Sequence, residues 1–178
     1  SAIYAIRSGF FKNELVLKDG RSQVMGFHMP GEIMGMEGIS AGAYTCNAVA
    51  LEDAEVCALP LSRLEEIPHE MHDLAHRLNQ IMSKEIVRDQ RIMAMLGGKS
   101  AEARLAAFLV DLSQRFAARG YAISDLELPM TREDIGSFLG LKLETVSRIF
   151  SKLRDEKLIE VQQRHIRILD MTGLERLL

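Results

Sequence analysis

The segment that most limits what this chain can become is TREDIGSFLGLKLETVSRIFSKLRD, residues 131–155. Two helix-forming stretches are separated by a turn containing Gly140, too short to let them lie side by side. Thr131 is placed to cap the first, with Asp134 three residues on as a capping-box partner, so that helix is expected over 132–138. The second begins near Lys142 and carries Leu143, Val146, Ile149 and Leu153 on one side. Glu144, Ser147 and Arg148 fall on the other, at i, i+3 and i+4, in its first two turns. Downstream, LIEV and HIRIL flank QQR and predict a hairpin, a wing beside the helix pair. Upstream, Ser100 is placed to cap a helix with Leu105, Phe108, Leu109, Leu112 and Phe116 on one face, closed near Gly120. YAISDLEL follows as a short strand.

Helix, glycine turn, helix and wing together describe a winged helix-turn-helix. In that arrangement the second helix lies in the major groove and its N-terminal residues reach base edges. Arginine grips guanine O6 and N7 with two hydrogen bonds, and a carboxylate accepts from cytosine N4. Arg148 and Glu144 therefore suit the reading of a G·C pair and its neighbour, with Ser147 small enough to approach beside them. Arg132, Lys152 and Arg164 are expected on phosphates, which set register without reading sequence. Charge agrees locally. The whole chain carries a net charge of −3, whereas residues 142–154 hold Lys142, Arg148, Lys152 and Arg154 against Glu144 alone. Winged helices also mediate protein–protein contacts, so the pattern by itself leaves that role open.

The rest of the chain divides in two. Residues 1–61 alternate β-rich runs with Gly or Pro turns, at Gly9, Gly20, Gly31 and Gly38, the signature of an antiparallel barrel or sandwich. Strand-like residues already at the start predict that the sequence begins inside a domain, leaving the barrel partial. Residues 70–97 then read as one long helix ended by Gly97 and Gly98. Leu78, Met82, Ile86, Met93 and Leu96 form a narrow apolar seam, with Leu74 and Ile81 as a second edge. Two faces need two partners, so the seam is expected to pair with a second copy of the helix. Asp89 falls on that seam, where two copies would face each other across a symmetry axis and repel. The expected organisation is a partial β-barrel sensor over 1–69, a dimerisation helix over 70–98 and a winged helix-turn-helix over 99–178, in an α+β chain.

Composition excludes several classes. No apolar run approaches the ~20 residues of a membrane helix, and the start shows no secretory pattern. Two cysteines, Cys46 and Cys57, are too few for a disulfide scaffold and point to a reducing cytoplasm. A cupin-like enzyme would need two or more histidines on neighbouring strands, and only His28 lies in the barrel region. His28 reads as a structural or solvent-facing residue. His69, His72 and His76 read as surface residues, since no HExxH glutamate accompanies the i, i+4 pair.

TREDIGSFLGLKLETVSRIFSKLRDEKLI closely resembles the helix-turn-helix of the CRP/FNR family of bacterial transcription regulators. AEARLAAFLVDLSQRFAARG and YAIRSG resemble its FNR branch, that of the anaerobic regulators, and the likeness runs over essentially all 178 residues. The resemblance implies a cyclic-nucleotide-binding-like jelly roll as the barrel and a homodimer through the long helix. It implies base contacts by Glu144, Ser147 and Arg148 within ETVSR to a TTGAT-type half-site of a palindrome on double-stranded DNA, with recruitment of RNA polymerase. Cyclic-nucleotide regulators hold the ligand phosphate with an arginine whose place here is taken by Tyr44. Met36 stands where the glutamate of their GExxGE lies. A buried phosphate would lack its charge partner, so cAMP binding is not expected. FNR regulators resemble one another instead in holding an oxygen-labile 4Fe-4S cluster on four cysteines, one of them in a VCxxP stretch of the barrel. VCALP places Cys57 there, and strand parity turns Cys57 outward with Asp53 and Glu55, leaving Ala54, Val56 and Ala58 inward. One thiolate cannot hold such a cluster. The other three ligands are expected outside this sequence, which alone should not assemble the cluster. The same fold responding to haem, nitric oxide or a small effector, and a cyclic-nucleotide module without DNA function, are the alternatives.

Overall fold

The computed structural model describes residues 2–62 and 72–178, apart from the side chains at 41, 72–75 and 78. The chain divides into two compact units, Ser1–Val87 and Arg88–Leu178.

In the first unit, β1 (Ala2–Ser8) pairs antiparallel with β4 (Ile33–Met34) on one side and β6 (Glu55–Pro60) on the other. β2 (Phe11–Val16) likewise pairs with β3 (Ser22–His28) and β5 (Asn47–Ala50). A short helix, α1 (Gly38–Ala41), lies between β4 and β5. The core of the unit is Ile3, Ile6, Val24, Phe27, Met29 and Met34. Gly9 turns β1 into β2 at φ +77°, and a Cβ there would meet the Asp53 carbonyl at 2.7 Å. Both the dihedral and the close approach therefore call for glycine.

The expected barrel is not what forms. The strands make two separate three-stranded sheets, β4-β1-β6 and β3-β2-β5, which do not close on each other. Closure requires every strand to pair on both sides, and among the described residues β3, β4, β5 and β6 each pair on one side only. The expected alternation along β6 also fails: all six of its residues are exposed, Val56 at 41% and Leu59 at 40% among them. Inward and outward positions diverge in burial only where a layer covers one face.

The long helix α2 (His72–Leu96) leads into the second unit. There α3 (Ala101–Ala117) is capped by Ser100, whose hydroxyl accepts from the Ala103 amide at 3.1 Å. Leu105, Phe108, Leu109, Leu112 and Phe116 are all buried on it, as their spacing predicts. The YAISDLEL strand is shorter than expected, β7 (Asp125–Glu127), because Tyr121 and Ile123 lie exposed in the preceding turn. β8 (Ile159–Gln162) and β9 (His165–Ile168) form the wing hairpin, and β7 joins it to give the order β7-β9-β8. A last helix, α6 (Met171–Glu175), is capped by Asp170, buries Leu174 and packs on α3. No periodicity announces so short an element.

Candidate nucleic-acid interface

The helix pair is built from local rules first. In α4 (Arg132–Leu139) the capping box is complete: Asp134 accepts from the Thr131 amide at 2.9 Å, and the Asp134 amide donates to the Thr131 hydroxyl at 3.0 Å. Gly140 ends the helix in the left-handed region at φ +65°, and the Leu141 amide returns to the Gly136 carbonyl at 2.8 Å. Arg104 of α3 donates to the Leu139 carbonyl at 3.1 Å and so fixes the turn from outside. The chain then enters α5 (Leu143–Asp155).

One face of α5 is the floor of the unit. Val146, Ile149, Phe150 and Leu153 are all buried. Two details differ from the spacing argument. Leu143 is 45% exposed, and Phe150 is buried in the core in its place. The opposite face carries Glu144, Ser147 and Arg148, all exposed. Among the described residues, none of the three side chains makes a hydrogen bond or ion pair within the chain.

The cations around this face differ in their surroundings. Arg132 is half-buried, its guanidinium carbon 3.4 Å from the centre of the Phe150 ring. Burial pulls its pKa down to about 10, so it remains charged at neutral pH. Lys152 is engaged by Glu102 of α3 at 2.5 Å and by Glu156 at 3.8 Å, and the Glu102 carboxylate holds its pKa above the usual lysine value. Arg164 is exposed in the hairpin turn of the wing. On β9, Arg167 donates to Asp125 of β7 at 3.0 Å. That bond raises the arginine and lowers the aspartate, tying the third strand to the hairpin. Glu102 and Arg104 were not legible as site residues, since their contacts span 50 and 35 residues of sequence.

Residues 103–177 match the Crp-like helix-turn-helix domain, and residues 1–70 match the cyclic nucleotide-binding domain. Transcriptional regulatory protein btr of Bordetella pertussis is 44% identical over 99% of this chain and 73% of its own length. Transcriptional activator protein FnrA of Stutzerimonas stutzeri is 42% identical over 98% and 71%. The solved structure of FixK2 from Bradyrhizobium japonicum superposes with a TM-score of 0.87 at 31% identity, over 99% of this chain and 86% of that one. The chain belongs to the CRP/FNR family, in its FNR branch. It is an FNR-type transcription regulator that binds DNA through this helix-turn-helix.

In this regulator the first unit keeps a cavity of about 560 Å³, lined among others by Tyr4, Asn13, Glu14, Glu37, Tyr44 and Cys46. Tyr44 stands where a cyclic-nucleotide arginine is expected. Its hydroxyl donates to the Ala2 carbonyl and accepts from the Ala2 amide, both at 2.7 Å. A side chain added at Gly35 or Gly38 would meet the Tyr44 ring at 3.1 Å. His28 is buried, 3.0 Å from Asn13 and 3.6 Å from Glu32, and is structural. His69 and the side chain of His72 lie outside the described residues. His76 is exposed, 2.9 Å from Gln80.

Cys57 is exposed on β6 and Cys46 is half-buried, both free. Among the described residues no three His, Cys, Asp or Glu side chains converge on a possible metal position. A four-thiolate cluster therefore does not fit on the donors present in this chain. On α2, Met82, Ile86 and Met93 are 36%, 57% and 65% exposed, and Asp89 is exposed between the last two. Leu96 is half-buried, and the side chain of Leu78 lies outside the described residues. Val87, 43% exposed, adds a further apolar side chain beside Ile86, outside the expected seam. Among the described residues no helix is long and apolar enough to cross a membrane.

Proposed function

We propose that Glu144, Ser147 and Arg148 read the bases of a TTGAT-like half-site, and that two copies of the chain bind a palindrome as a homodimer. The observation carrying this reading is that all three side chains are exposed and, among the described residues, free of intramolecular partners, on a helix whose other face is buried core. Arg132, Lys152 and Arg164 serve phosphates around them. Residues 1–69 act as sensor, 70–98 as dimerisation helix and 99–178 as DNA-binding domain. The dimer forms along Leu78, Met82, Ile86, Asp89, Met93 and Leu96, supported by exposed apolar side chains that a second helix would cover. The test is binding of the chain to a TTGAT palindrome, to single-base variants of it and to random duplex, with and without Arg148→Ala.

In the complete protein, which works in the cytoplasm and recruits RNA polymerase, oxygen is sensed through a 4Fe-4S cluster. Cys57 is its ligand from this region, supported by its exposure on β6. The remaining thiolates are not in this sequence, whose other cysteine, Cys46, lies in the cavity lining. The cavity supports one second reading, a regulator of the same fold responding to a small effector. Iron content of the complete protein decides between them.

A further inference from the structure

On the reading helix, Lys152 stands one turn beyond Arg148 and two beyond Glu144, along the same face. Its ammonium is already matched by carboxylates: Glu102 at 2.5 Å and Glu156 at 3.8 Å. Glu156 is a neighbour one turn along the same helix, an ordinary surface pair. Glu102 arrives from α3, 50 residues earlier in sequence. The turn that carries it is fixed at both ends. Ser100 caps it, and Arg104 donates to the carbonyls of Lys99 at 3.2 Å and Leu139 at 3.1 Å. The Glu102 side chain is 23% exposed against 50% for Lys152. The carboxylate is thus held by the fold, and the ammonium is the partner more open to solvent.

We propose that Glu102 is an affinity-setting residue, a built-in competitor for DNA phosphate at Lys152. It rests on the reading of Lys152 as a phosphate contact. Two physical effects act in the same direction. A phosphate brought to Lys152 also approaches a fixed negative charge. A lysine whose charge is already matched by a protein carboxylate also neutralises a phosphate less fully, so fewer of the cations condensed on the DNA are released. Every sequence carries phosphates, so the effect is uniform, and base discrimination by Glu144, Ser147 and Arg148 is left intact. On a palindrome occupied by two copies the factor enters twice.

The test measures fluorescence anisotropy of the full chain on a TTGAT palindrome and on random duplex, from about 50 to 200 mM salt. Glu102→Gln keeps the shape and removes the charge. Binding is expected to tighten several-fold on both duplexes, with the slope of log K against log salt steeper by up to about 0.9 per reading helix. Glu102→Asp keeps the charge and should stay close to the parent. Lys152→Gln should weaken both duplexes, and adding Glu102→Gln to it should bring no gain. Weaker binding in Glu102→Gln would make Glu102 a strut for Lys152 and overturn the proposal. A gain that persists without Lys152 would overturn it as a general charge effect. If Lys152→Gln alone leaves affinity unchanged, the phosphate reading falls, and the proposal with it. Equal melting temperatures across the set confirm that folding is unaltered.

Discussion

Arg148 illustrates how much a single exposed side chain is asked to do. It has no partner within the chain among the described residues, so its donors are available without breaking an internal bond. Truncation to Ala should cost about 1–3 kcal/mol on the TTGAT site and relax discrimination at one base pair, read by anisotropy on single-base variants. Equal losses on random duplex would make it a phosphate contact. Arg132 behaves differently, because its guanidinium is already stacked on Phe150. Any phosphate it meets must be reached with the ring still beneath it, which fixes the direction of its donors.

At the scale of elements, the angle between α4 and α5 depends on one missing methyl group. A Cβ on Gly136 would lie 2.6 Å from the Leu141 carbonyl oxygen and 3.5 Å from Val146. The Leu141 amide is bonded to the Gly136 carbonyl, so the turn cannot move aside without losing that bond. Gly136→Ala is expected to destabilise the second unit by about 1–3 kcal/mol and to swing α5 out of register. Thermal melting should fall by several degrees while DNA binding drops far more than stability does. A variant with unchanged affinity would show that the turn tolerates the strain. The capping box and Gly140 were legible because their effects are local. Gly136 was not, since its constraint is contact with a carbonyl across the turn.

For the whole molecule, the proposed dimer along α2 sets an exposed apolar stripe against a charge within it. On the proposed dimer seam, the exposed Met82, Ile86 and Met93 would favour a partner and the Asp89 carboxylate would oppose one. Asp89→Ala should shift sedimentation toward the dimer at a given concentration, and unchanged sedimentation would remove Asp89 from the seam. A complete protein prepared without oxygen should bind iron with the visible absorbance of a cluster, and Cys57→Ser should lose it. A full iron complement in that variant would take Cys57 out of the ligand set.

Local chemistry alone determined the helix-turn-helix, its caps, the wing hairpin and the exposed polar face of α5, because those depend on period, turn residues and polarity over a few residues. The family followed from the same stretch. Only the tertiary structure decided that the strands of the first unit form two open three-stranded sheets, that Phe150 and not Leu143 completes the floor of α5, and that Glu102 faces Lys152. Each of these depends on which distant segment covers a surface, and strand pairing and ion pairing across 50 residues leave no periodic trace in sequence.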